Sequence, residues 1–96
     1  MIAPNKRLTR ILKALANEHR LSLYLQIWQQ QRMAVPRSEC FVSDLAAKMK
    51  IGAPTISHHI KELESAGLIT TQKVGKQITA AADPETHSFV LTQLGG

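Results

Sequence analysis

The 96-residue chain has one cysteine, Cys40, and only four aromatic residues, Tyr24, Trp28, Phe41 and Phe89. A single thiol excludes an intrachain disulfide framework and suits a reducing cytoplasm. So few aromatics argue against a protein that stacks single-stranded bases on exposed rings. No apolar run approaches the ~18 residues of a membrane span. The charges near the start are not followed by the apolar segment of a secretory signal. Repeats, linkers and low-complexity segments are missing too. No Ser/His/Asp or Cys/His set stands in a recognisable context, and there is no glycine-rich phosphate loop, so nothing points to an enzyme.

What is present is small, basic and globular in composition. The formal net charge is +5 and 44% of residues are apolar. Such a balance suggests an anionic partner without naming one. The length fits one domain over residues 1–96, burying roughly 60–65% of its unfolded surface. A subunit interface would add to that modest core.

The most informative stretch is residues 52–67, GAPTISHHIKELESAG. At about 100° per residue, Ile56, Ile60 and Leu63 form one apolar stripe. Pro54, His58, Lys61 and Ser65 point the other way, flanked by Thr55 and Ser57. The outward N-terminal half is small, polar and free of acid, as a helix entering a DNA major groove requires. An ordinary amphipathic surface helix would carry the same stripe, so the surroundings decide.

Around this stretch the pattern predicts helices over about 5–16, 18–33, 44–50, 53–66 and 84–94, and a hairpin over about 68–81. Asn5, Asn17, Ser43 and Asp83 are the expected caps. Leu8, Ile11, Leu12 and Leu15 make one face of the first helix. Lys6, Arg7, Arg10 and Lys13 lie between them with no acid before Glu18; they either meet phosphate or form a solvated face. Leu21, Leu23, Tyr24, Leu25, Ile27 and Trp28 surround the second helix, which is expected to be central and buried, with residues 29–32 as its wet end. Val35, Pro36, Arg37 and Ser38 read as a loop, and Phe41-Val42 as a short extended segment. Lys50-Ile51-Gly52 reads as a tight turn joining two helices, the helix-turn-helix pattern. Gly67 stops the second of these helices. Two β-rich runs follow, separated by Val74-Gly75-Lys76, with Lys73 and Lys76 at the tip. This order makes a winged helix. The last helix is apolar through Phe89, Val90, Leu91 and Leu94, and is expected to pack on the first helix in a two-fold dimer. Residues 1–4 and Gly95-Gly96 are expected to be loose ends.

Three segments together resemble the ArsR-type (ArsR/SmtB) winged helix-turn-helix regulators. They are Leu12-Lys13-Ala14-Leu15-Ala16-Asn17-Glu18-His19-Arg20-Leu21, Val42-Ser43-Asp44-Leu45-Ala46, and the run from Pro54 to Ile69, PTISHHIKELESAGLI. The resemblance covers nearly the whole chain. It implies a mainly α fold with a small β-hairpin, four helices, two strands and a fifth helix. It also implies a homodimer through the first and last helices, and a DNA-binding repressor whose affinity an effector, often a metal ion, weakens.

The metal is not expected here. Many metal-sensing members carry Cys-Val-Cys just before Asp-Leu; alignment on Asp44-Leu45 places Phe41 and Ser43 at those positions, with Cys40 out of register. Phenylalanine cannot ligate and a hydroxyl is a poor soft-metal ligand. Asp83 and His87 do not have the Asp-x-His spacing of the zinc-binding last helix. His58 and His59 diverge by about 100° on a helix and cannot share an ion. His59 and His19 fit structural or surface roles better, and Cys40 a partly buried small side chain. No cofactor is therefore expected.

The sequence thus predicts a cytoplasmic, sequence-specific dimeric repressor. Pro54, Thr55, Ser57, His58 and Lys61 would face bases and adjacent phosphates, and Lys73 and Lys76 flanking phosphates. Leu8, Ile11, Leu12, Phe89, Val90 and Leu94 would form the dimer interface. The partner would be double-stranded DNA with an inverted-repeat operator, not a membrane. The alternative is a winged-helix module that binds another protein and has only non-specific DNA affinity.

Overall fold

The computed structural model describes residues 4–33 and 40–95. Its elements are α1 (Lys6–Leu15), α2 (Glu18–Met33), α3 (Val42–Met49), α4 (Ala53–Ser65), β1 (Ile69–Val74), β2 (Gln77–Ala82) and α5 (Pro84–Gly95). This is the expected mainly α order with one antiparallel hairpin. The loop expected at residues 35–38, most of the expected loose start, and Gly96 lie outside the described residues. Gly95, expected beyond the last helix, is its final residue.

Three expected caps are in place. Asn5 accepts from the Leu8 amide and Asn17 from the Arg20 amide, each at 3.0 Å. Asp83 accepts from the Glu85 amide at 3.0 Å and from the Thr86 hydroxyl at 3.3 Å. These short oxygens satisfy amides that a first helical turn leaves unpaired. The start of α3 corrects the expectation. It begins at Val42, with Phe41 rather than Ser43 as its cap residue and no side-chain cap bond. Phe41 pairs with Thr79 in a β-bridge, and the Cys40 carbonyl accepts from the Ala80 amide at 2.9 Å. Pairing to β2 fixes the chain direction there and overrides the capping preference, so the extended segment ends at Phe41.

Among the described residues, the largest fully buried side chains are Ile11, Leu23, Ile27, Leu45, Leu63, Leu68 and Ile69. The second helix is not buried all round: Leu21 and Leu25 remain 39% and 42% exposed. The hairpin pairs Ile69 with Ala82 and, at its tip, Val74 with Gln77. Ile69, Ala80 and Ala82 face the core. The loop is therefore only Gly75-Lys76, one residue shorter than expected, and Gly75 takes φ 63°. A two-residue hairpin turn with positive φ at its first position favours glycine there. Nor is Gln31 simply a wet end. Its amide donates to the Ala82 carbonyl at 3.0 Å and accepts from the Ala82 amide at 2.8 Å, as a neighbouring strand would.

A ring stack docks α5 on α2. His87 lies 3.6 Å from Trp28, ring centre to ring centre, at 8° between planes. Its Nδ1 is 2.6 Å from the Tyr24 hydroxyl. Burial, with Asp83 adding, pushes Tyr24 up to about 12, so the phenol keeps its proton and can donate to a neutral imidazole. Across α1 and α5, Arg7 meets Glu85 at 2.7 Å and sits 4.0 Å over the Phe89 ring.

Gly67 ends α4 as expected. With φ 80°, it lets its own amide reach the Glu64 carbonyl and the Leu68 amide reach that of Leu63, both at 3.0 Å. This is the Schellman pairing, which closes the helix and turns the chain into β1. Gly67→Ala should destabilise the fold by about 1–2 kcal/mol through the left-handed penalty, measured by urea unfolding. Burial lowers the basicity of His59, with Arg20, His58 and His19 adding; burial and then Arg32 do the same to His87. The unfolded chain, whose histidines titrate near 6.5, then binds protons more readily than the folded one. Stability is complete above that pH and falls below it. The urea midpoint should decline from about pH 7 to about pH 5, and less steeply in an H59Q/H87Q variant.

Candidate nucleic-acid interface

Helices α3 and α4 meet at a three-residue corner. Its left-handed position is Lys50, at φ 54°, and not Gly52, which has φ −64°. The Lys50 and Ile51 amides reach back to the Ala47 and Ala46 carbonyls at 3.3 and 3.2 Å. The Gly52 carbonyl then accepts from Thr55 and Ile56 at 3.1 and 3.0 Å and starts α4. A side chain at Gly52 would meet only Pro54, at 3.9 Å, so sterics do not demand glycine there. Pro54 sits in the first turn, where its missing amide costs little.

The two faces of α4 separate as its periodicity requires. Ile56, Ile60 and Leu63 are buried, and His59 joins them at 6% exposure. Arg20 explains that histidine. Its Nε donates to the Ala14 carbonyl at the end of α1, and its Nη1 lies 3.4 Å from His59 Nδ1. One guanidinium thus ties the end of α1 and the start of α2 to the inner side of α4. Pro54, Thr55, Ser57, His58 and Lys61 are all exposed. The first turn carries no acid; Glu62 and Glu64 come only in the second half. The His58 and His59 rings lie 5.9 Å apart, tilted by 50°.

Lys73 and Lys76 are exposed on the hairpin, as is Lys50 at the corner. Sequence reasoning passes over Lys50, because no pattern marks a lysine that will take positive φ. It also misses how the hairpin is aimed. The Thr71 hydroxyl donates to the Glu64 carboxylate at 2.6 Å, fixing the root of β1 to the end of α4. Val74 and Ile78 leave 42% and 47% of their surface exposed near the tip.

The six residues expected at a dimer interface fall into different environments. Leu12 and Leu94 are exposed, while Leu8, Phe89 and Val90 are half-buried. Ile11 is fully buried in its own core and has no surface left for a partner, a correction to the expected set. Leu91, expected from sequence only as part of an apolar helix, is 60% exposed, the same as Leu94. With Leu21 and Leu25 it borders an apolar hollow of about 150 Å³ between α2 and α5.

Burial raises the Cys40 thiol above its usual range; Lys48 opposes this and Asp44 adds to it. A thiol held protonated is a poor ligand and a poor nucleophile. Among the described residues, no three His, Cys, Asp or Glu side chains gather where they could hold an ion. No described helix is long and apolar enough to cross a membrane.

Comparison with known proteins agrees with this geometry. The helix-turn-helix domain family matches residues 15–72. The HTH-type transcriptional repressor SmtB of Mycobacterium tuberculosis is 29% identical over 68 residues, 71% of this chain and 44% of the relative. The chain thus spans less than half the length of the curated relative it matches. A solved ArsR family transcriptional regulator superposes with a TM-score of 0.75 at 29% identity, over 94% of this chain and 90% of that one. A homodimeric winged helix-turn-helix DNA-binding domain from Mycobacterium bovis, a possible ArsR-family regulator, gives 0.70 at 23% identity, over 98% and 88%. At that identity the likeness speaks for the fold alone. Helix order, hairpin and sequence match agree: the chain belongs to the helix-turn-helix domain family, with a winged-helix fold like that of the ArsR-type regulators.

Proposed function

We propose that this chain is a cytoplasmic, sequence-specific transcriptional repressor that binds duplex DNA as a homodimer. One observation carries the reading. The exposed face of α4 is polar and acid-free in its first half, while its opposite face is locked into the core. Thr55, Ser57 and His58 are short enough to read base edges, and Pro54 and Lys61 border them. The positive end of the α4 dipole lies at this same N-terminal half. Lys73 and Lys76 hold flanking phosphates from the hairpin, and such contacts position without reading sequence.

The Mycobacterium bovis domain is homodimeric. Exposed Leu12, Leu91 and Leu94, with half-buried Leu8, Phe89 and Val90, give this chain apolar surface for a similar assembly. Two-fold symmetry then calls for an inverted-repeat operator with half-sites about one helical turn apart. We also infer that the family's usual metal sites are lost. Phe41 and Ser43 occupy the cysteine positions, and the Cys40 thiol is raised.

Binding to fragments around its own coding region, with and without zinc, tests the reading. Tight, salt-sensitive binding that zinc leaves unchanged is expected. Release by zinc would overturn the inferred loss of metal sites. Weak binding with no preference for any fragment would favour a protein-interaction module instead. Lys76→Ala should weaken binding about equally on operator and random DNA. Ser57→Ala or His58→Ala should instead change sequence preference, by about 1–3 kcal/mol for each base edge left unread. Leu91→Asp with Leu94→Asp should give a folded monomer in sedimentation and abolish tight operator binding. A dimer that survives both changes would move the interface elsewhere.

A further inference from the structure

We propose that the cleft between α1 and the C-terminal half of α4 is a second phosphate-binding surface, taking DNA backbone beside the groove that α4 occupies. This rests on the reading of α4 given above.

The cleft has a volume of about 620 Å³. Lys6, Arg10 and Lys13 of α1 line it, opposite Glu62 and Ser65 of α4. Spacings of four and three residues stack the three cations on one helical stripe. Arg7 is on the same helix but is committed elsewhere, to Glu85 and the Phe89 ring. Lys6, Arg10 and Lys13 form no ion pair among the described residues. Glu62 borders the cleft but sits in no ion pair either, so it offsets at most one of three charges.

Like charges on one stripe repel one another. An anion between them removes that repulsion. The end of α4 brings the negative pole of its dipole nearby, roughly half a charge, which three full cations outweigh. The occupant follows from continuity with the α4 face. Pro54, His58, Lys61 and Ser65 recur at helical spacing, and Ser65 itself lines the cleft. A duplex that lies along this stripe meets the cleft with its sugar-phosphate backbone. Long Lys and Arg stems suit that contact, and the Ser65 hydroxyl adds a donor.

The test uses the full chain with two duplexes, a fragment upstream of its own coding region and a random sequence of equal length. The variants are K6Q/R10Q/K13Q and, separately, K76A. Glutamine is a good helix former, so α1 should persist, and an unchanged far-ultraviolet spectrum checks it. The slope of log affinity against log salt should become shallower by about 0.9 for each phosphate no longer neutralised, so by about 2–3 per bound protomer in the triple variant. Phosphate-ethylation interference should disappear at the positions flanking the α4 site, with base preference unchanged. A triple variant with the original slope and footprint would overturn the proposal, provided that K76A lowers the slope as expected. Uniform weakening with an unchanged footprint would also overturn it, since the charges would then act only at long range. Salt-insensitive binding by the unaltered chain would overturn both this proposal and the α4 reading.

Discussion

Burial of one stripe of α4 is the constraint on which the rest of the molecule depends. Ile56, Ile60 and Leu63 go into a core to which α1, α2, α3 and β1 all bring surface. A helix repeats its faces every 3.6 residues, so locking this stripe leaves no freedom in what the other face presents. Pro54, Thr55, Ser57, His58 and Lys61 are outward because Ile56, Ile60 and Leu63 are inward. A rotation of one residue would bury Ser57 and Lys61 without partners, which costs more than a small domain can tolerate. The aim of the exposed α4 face is thus set first by core packing, and the Arg20–His59 contact and the Thr71–Glu64 bond add to it.

Polar side chains complete what a short chain cannot build from elements alone. The sheet has two strands, and the outer edge of β2 would otherwise be open. The Cys40 carbonyl covers Ala80 there, and the Gln31 amide covers both backbone groups of Ala82. Arg20 serves the end of α1 in the same way, its charge placed where helix carbonyls are unpaired and the dipole is negative. Each bond is worth only about 1 kcal/mol net, but a missing partner for a buried amide costs about 1–3 kcal/mol. Their main contribution is to hold α2, the hairpin and α4 in one relative orientation.

The parts of this arrangement that were legible in the sequence are those set by local chemistry. The α4 stripe, the caps at Asn5, Asn17 and Asp83, and the stop at Gly67 all follow from residues within a turn of one another. The exposed positions of Ser57, His58 and Lys61 follow from the same periodicity, and those of Lys73 and Lys76 from their place at the hairpin tip. What escaped depends on distant neighbours. Phe41 is a helix cap because β2 pairs with it. Ile11 has no place at an interface because α1 packs more deeply than its own pattern can tell. The roles of Gln31, His87 and Glu64 rest on partners 51, 63 and 7 residues away, and no spacing within α2, α5 or α4 announces them. His87 in particular gives no sign in its own spacing that its ring stacks on Trp28 and docks α5 on α2.

Lys50 holds the one left-handed non-glycine backbone among the described residues. A left-handed residue with a side chain costs about 1–2 kcal/mol relative to its right-handed form, and glycine would avoid most of it. The glycine of this corner stands two residues later, where neither φ nor space requires it. The sequence therefore keeps a cation at the strained position, exposed at the turn that leads into α4. The left-handed turn closes α3 through the Lys50 and Ile51 amides, and the cation stands at the negative end of the α3 dipole, which offsets part of the cost. The two glutamates of α4 lie beyond Lys61, one bonded to Thr71 and the other facing three cations. Negative charge is absent from the N-terminal half of α4, and where it does occur Glu64 fixes the root of the hairpin to the end of the helix.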